Sequence, residues 1–248
     1  MQPMLALWSF VLLAGAAALA LPAPGRPRTV RRGGAADDGG VAAPRRIILF
    51  DVLDTLVADP FFRGMHTEVF GCESLEELYA AADASAYEAF ETGAIDEAEL
   101  WRTYFLDRSR PPPDGAAARA YLAASYEYVI HMRSLLGEIK RIGGVEVYAL
   151  SNYGPLYRMI EEKLHLGRFL EWRFVSCETG LRKPDPACYR HALADLGVTD
   201  RDAVVFVDDS ATNCDAARAI GLDAIRFNGD SADCRTALIE RGFTELRV

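Results

Sequence analysis

Cysteine is scarce and nowhere arranged to build a framework. There are five (Cys72, Cys177, Cys188, Cys214, Cys234), an odd number, with no CxxC or other metal-ligand spacing. That excludes a zinc ribbon or finger and argues against a disulfide-built secreted domain, so a reducing destination is expected. No internal repeat and no low-complexity tract follows Ala43, which excludes solenoids and arrays. From Gly25 to Ala36 the chain has no acid, although Arg26, Arg28, Arg31 and Arg32 lie there. Beyond residue 44 the shortage is of positive charge. The net charge of −9 comprises +2 from residues 1–44 and −11 from the rest. So acidic a body argues against nucleic acid or an anionic membrane as the main partner. It says nothing about a single phosphate site, where local groups dominate.

With 248 residues, of which 50% are hydrophobic and 25% charged, the chain can bury one sizeable core and carry an insertion. Met4 to Leu21 is apolar apart from Ser9, and Ala18-Leu19-Ala20 offers a small-residue cleavage site. Residues 1–20 are therefore expected to be a signal peptide, with a membrane anchor as the alternative. Residues 21–44 have the composition of a basic transit or linker segment. The pair resembles the bipartite presequence of algae with secondary plastids. A plastid destination is expected, with a secreted or endomembrane one as the alternative, and a mature chain not embedded in a membrane.

Four apolar runs read as buried parallel strands: Ile47–Phe50, Val145–Leu150, Phe174–Ser176 and Ala203–Val207, with a fifth at Ala224–Phe227. Helical patterns separate them, which predicts an α/β fold with a doubly wound parallel sheet and its site outside the carboxyl ends of the strands. Asp185 reads as a helix cap before Pro186, and Gly221 as a helix stop. No strand signal appears from Asp51 to Gly144. Ser74 with Glu77 and Asp96 with Glu99 read as capping boxes, Ile95 and Leu100 as a hydrophobic staple. Leu122, Tyr126, Val129 and Leu136 keep helical spacing. Residues 45–59 and 133–248 are thus expected to form the core domain, and 60–132 an inserted helical cap.

Chemistry-bearing residues sit at the ends of these strands. Asp51 and Thr55 follow the first, Ser151-Asn152 the second, and Asp208-Asp209 with Asn213 the fourth, while Arg182-Lys183-Pro184-Asp185-Pro186 forms a loop. A nucleophilic carboxylate, a phosphate-binding hydroxyl, a charge-neutralising lysine and paired metal-binding carboxylates are what phosphoryl transfer through an aspartyl-phosphate requires. The four pieces in this order resemble the haloacid dehalogenase-like hydrolase superfamily. The resemblance implies that Asp51 attacks phosphorus and that Mg²⁺ is held by Asp51, the carbonyl of Leu53 and the Asp208-Asp209 pair, oriented by Asn213. It implies that Ser151, the Asn152 amide and Lys183 surround the phosphoryl group, and that Thr55 hydrogen-bonds around the nucleophile and the phosphate. In most phosphatases of this superfamily a second Asp stands two residues after the nucleophile, as general acid and base; here that position is Leu53. That leaves the proton donor unidentified.

The stretch Phe50-Asp51-Val52-Leu53-Asp54-Thr55-Leu56-Val57 with Asp59-Pro60-Phe61 resembles a plant chloroplast branch that includes a flavin mononucleotide (FMN) phosphatase. FMN is then the specific substrate expectation, and an isoalloxazine ring would need an apolar slot in the cap. Phe61, Phe62 and His66 are the cap candidates. The alternatives are a phosphatase for another small phosphometabolite, a dehalogenase, or a non-catalytic phosphate or flavin binder.

Overall fold

The computed structural model describes residues 45–246. The expected signal peptide and basic segment lie outside the described residues. Seven strands occur among those described: β1 (Arg46–Phe50), β2 (Val57–Ala58), β3 (Glu127–Tyr128), β4 (Val145–Ser151), β5 (Glu171–Val175), β6 (Val204–Asp208) and β7 (Asp223–Arg226). Five form one parallel sheet in the order β5-β4-β1-β6-β7. Its central strand is buried on both faces, as parallel strands flanked by helices must be. Ile48 and Phe50 pack with Val147, Ala149, Val205 and Val207 on one face. Ile47 and Leu49 pack with Tyr148, Leu150, Val204 and Phe206 on the other. That two-sided burial produces the unbroken apolar runs in the sequence.

The strand read at Phe174–Ser176 begins earlier, at Glu171, and ends at Val175, because Ser176 opens a one-turn helix. Asp185 caps the helix Pro186–Asp195 by accepting from the Ala187 amide. Gly221, at a φ of +80°, follows the helix Ala211–Ala219.

Between β1 and β4 the expectation of no strand is corrected. β2 and β3 pair antiparallel, Val57 opposite Tyr128 and Ala58 opposite Glu127. The helices between them enter and leave through this two-stranded stem. The run Leu122, Tyr126, Val129 and Leu136 is likewise not one helix: Gly115–Ser125 ends before β3, and Met132–Ile142 begins anew. Ser74 and Asp96 do cap their helices, accepting from the Glu77 and Glu99 amides at 3.1 and 2.8 Å. The return bonds differ from a capping box, since Glu77 accepts from the Glu73 amide and Glu99 pairs with Arg102.

The helix Ala84–Glu91 is pressed onto the loops at the sheet's carboxyl edge. Ser176 Oγ accepts from the Tyr153 amide at 2.9 Å and donates to the Glu91 carbonyl at 2.6 Å. A Cβ at Gly154 would stand 2.1 Å from the buried Phe90 ring. Gly154→Ala is therefore expected to lower stability by about 1–3 kcal/mol through overpacking, read as a fall in Tm by thermal denaturation. No helix among the described residues is long and apolar enough to cross a membrane.

Candidate active site

Parallel pairing brings the ends of β1, β4 and β6 side by side, and the side chains just past those ends converge. The Asp51 amide donates to the Val207 carbonyl at 2.8 Å, extending the ladder by one step and fixing where its carboxylate starts. Lys183, fully buried, donates from Nζ to Asp51 Oδ1 and Asp208 Oδ2, each at 2.6 Å. Asp208 also accepts from the Ser210 amide at 2.8 Å and from Asn213 Nδ2 at 3.1 Å on both oxygens. Asn152 clamps the lysine loop: its Nδ2 donates to the Lys183 carbonyl at 2.7 Å, and its Oδ1 accepts from the Lys183 amide at 2.8 Å.

Ligand oxygens of Asp51, Asp208 and Asp209 all lie within 4.8 Å of one another. Burial pushes Asp51 up to about 6, with Lys183 opposing the shift and Asp208 reinforcing it. Burial, followed by Asp51 and Asp208, pushes Asp209 up to about 8. Burial also works against the Lys183 charge, but Asp208 and Asp51 hold its pKa well above the usual lysine value. Three carboxylates around one ammonium leave negative charge over. Hard oxygen donors gathered in this way fit a cation such as Mg²⁺.

The other expected residues fall into different places. Ser151 ends β4 and is buried. Thr55, expected around the nucleophile and the phosphate, is completely buried. Its hydroxyl donates to Asp51 Oδ2 and accepts from the Asp209 amide, each at 3.2 Å, so it ties the two acidic loops together. Leu53 lies in the turn after β1, its side chain packed on the core. Asp54, at a φ of +56°, spends a carboxylate oxygen on the Asp59 amide.

A small cavity of about 30 Å³ lies where residues of the insertion meet the loop after β4, walled by Asp59, Phe61, Tyr87, Tyr104 and Tyr153 among others. It has room for about two water molecules, far less than an isoalloxazine ring needs. Phe61 is on its wall. Phe62, 40% exposed, and His66 are not. Three residues of this region have no role assigned from the sequence. Glu91 and Arg182 form a largely buried ion pair at 2.8 Å, and Asp59 carries no signal beyond preceding a proline.

Residues 46–221 match the sequence model of a family described as haloacid dehalogenase-like hydrolase. The chloroplastic flavin mononucleotide hydrolase 1 of Arabidopsis thaliana is 37% identical over 186 residues, covering 75% of this chain and 74% of that protein. The sesquiterpene phosphatase astK of Aspergillus oryzae is 28% identical over 162 residues, covering 65% of this chain and 82% of that one. Among solved structures, a family enzyme of Bacteroides thetaiotaomicron in complex with magnesium and inorganic phosphate superposes with a TM-score of 0.61 at 19% identity. That match covers 77% of this chain and 98% of the other, and it bears on the fold.

Proposed function

The chain belongs to the haloacid dehalogenase-like hydrolases, and from that premise we propose a Mg²⁺-dependent phosphomonoesterase that uses Asp51 as nucleophile and FMN as substrate. One observation carries the reading: three carboxylates and one buried lysine converge at the ends of β1 and β6. Asp51, Asp208 and Asp209 would hold the Mg²⁺. When bound, the ion supplies electrostatic stabilisation of the phosphoryl oxygens.

The protein's own groups do the rest. Lys183 and Thr55 each engage one Asp51 oxygen, so the nucleophile is held in one rotamer. An Asp51 oxygen bonds to phosphorus as the ester P–O bond breaks, and water then cleaves the acyl-phosphate to regenerate the carboxylate. Ser151 and the Asn152 amide, at the end of β4, would hold a phosphoryl oxygen, and Lys183 would offset charge on the group in transfer. Residues 60–132 act as a cap. In this reading the cap opens to admit substrate and closes to exclude water. The name of the Arabidopsis relative supplies both the FMN assignment and a chloroplast destination. The surplus of carboxylates favours this reading over a metal-free dehalogenase.

The test is phosphate release by the purified protein with and without Mg²⁺, across FMN, sugar phosphates and nucleotides. Chelation with EDTA is expected to stop turnover and added Mg²⁺ to restore it, with FMN the preferred substrate. Broad, weak turnover would remove FMN and keep the phosphatase. Turnover indifferent to chelation would remove the metal.

A further inference from the structure

We propose that Asp59 is the proton donor and acceptor that Leu53 cannot be, an assignment that rests on the phosphatase reading above. As the bond from Asp51 to phosphorus forms and the ester bond breaks, the Asp59 carboxyl gives its proton to the leaving oxygen. The resulting carboxylate then takes a proton from the water that attacks the acyl-phosphate, and phosphate leaves.

Asp59 lies on the returning limb of the turn that follows Asp51. Immediately after Asp51 the chain reverses, with the Leu56 and Val57 amides both donating to the Val52 carbonyl and the Asp54 amide to the Val57 carbonyl. Coming back along this turn, the Asp59 amide donates to Asp54 Oδ1 at 2.9 Å. Asp59 lines the cavity together with Tyr153, the residue after the Ser151-Asn152 pair. Asp59 thus stands where the helical insertion meets the nucleophile turn and the loop after β4.

Its surroundings disfavour its charge. Asp54, Asp51 and Glu91 all act on its charge and all are acidic. The phenols of Tyr79, Tyr87, Tyr126 and Tyr153 feel it in turn. No cation is among these groups. Burial first, then the neighbouring acids, pushes Asp59 up to about 7, a value at which a carboxyl can donate and accept protons near neutrality.

The other acids nearby are committed elsewhere. Asp54 serves the Asp59 amide, and Glu91 is held by Arg182. His66 does not line the cavity. Asp59 does have a structural duty: one oxygen accepts from the Phe61 amide at 2.9 Å and caps the turn Pro60–Phe62. Asn can perform that duty equally well and cannot transfer the proton, which separates the two roles.

The experiment measures kcat/KM of the Mg²⁺-loaded protein, wild type and Asp59→Asn, on FMN, phenyl phosphate and 4-nitrophenyl phosphate. The expected loss is about 10²-fold or more on FMN and phenyl phosphate, whose leaving oxygens need a proton. On 4-nitrophenyl phosphate, whose leaving group departs as an anion, the two proteins should agree within a few-fold. Asp59→Ser, which also caps the turn, should reproduce the pattern. An equal loss on all three substrates, or no loss on the poor leaving groups, would overturn the assignment while leaving the phosphatase intact. A wild type inactive on every ester would instead overturn the phosphatase reading, and Asp59 with it.

Discussion

Asp51→Asn is expected to reduce phosphate release by at least about 10⁴-fold while leaving a folded protein. The loss is large because removing the attacking atom abolishes the covalent route and leaves only binding and electrostatic help. The fold should tolerate the change because Asn is isosteric and the Asp51 carboxylate is an electrostatic burden. Burial raises its pKa to about 6 despite the lysine beside it. The Asn oxygen still accepts from Lys183, its NH2 group can donate to the Thr55 hydroxyl, and Lys183 keeps its partner Asp208. Circular dichroism and a Tm within a few degrees of wild type, together with lost turnover, are the expected pair of readings.

Lys183→Met is expected to have the largest effect on stability. The ammonium is fully buried and stands 2.6 Å from each of two carboxylates. Its removal leaves Asp51 and Asp208 buried without compensation, a change that costs about 3–5 kcal/mol. For a chain of this size that is a fall in Tm of roughly 10 °C. The pH dependence has a definite sign. Asp51 already has a folded pKa above its ordinary value, and without the lysine it rises further. The folded variant then binds more protons than the unfolded chain, so its deficit is full at alkaline pH and shrinks as pH falls through the raised pKa. Thermal melts from about pH 8 to about pH 5 should converge on wild type. The double variant Asp51→Asn, Lys183→Met should be more stable than Lys183→Met alone, since one uncompensated charge is gone.

The sheet could be read from the sequence because its strands are apolar on both faces, as Ile47 to Phe50 illustrate. Residues anchored to those strand ends could be read with it. Asp51, Lys183, Asp208, Asp209 and Asn213 lie in one cluster because β1 and β6 are neighbours in register, Phe50 opposite Val207. What the sequence hid has physical reasons. β2 and β3 are two residues each, too short to show a period. The apolar spacing of Leu122, Tyr126 and Val129 is helical, yet the tertiary pairing of Tyr128 with Val57 overrides it. The loop-tying bonds of the Thr55 hydroxyl with the Asp209 amide and of the Asn152 side chain with Lys183 join residues far apart in the chain and leave no local pattern. Contacts such as Arg182 with Glu91, far apart in the chain, leave no local pattern at all. Asp59 looks like an ordinary cap before a proline until the fold surrounds it with acids and phenols.

The central claim is a covalent bond between Asp51 and the substrate's phosphoryl group, and the most direct measurement is to trap it. The Mg²⁺-loaded protein is mixed with FMN, quenched in acid within the first turnover, digested, and its peptides weighed. The account predicts the added mass of a phosphoryl group on the peptide carrying Asp51, absent from Asp51→Asn. Turnover with no phosphorylated peptide, or with the phosphoryl group on another residue, would contradict it.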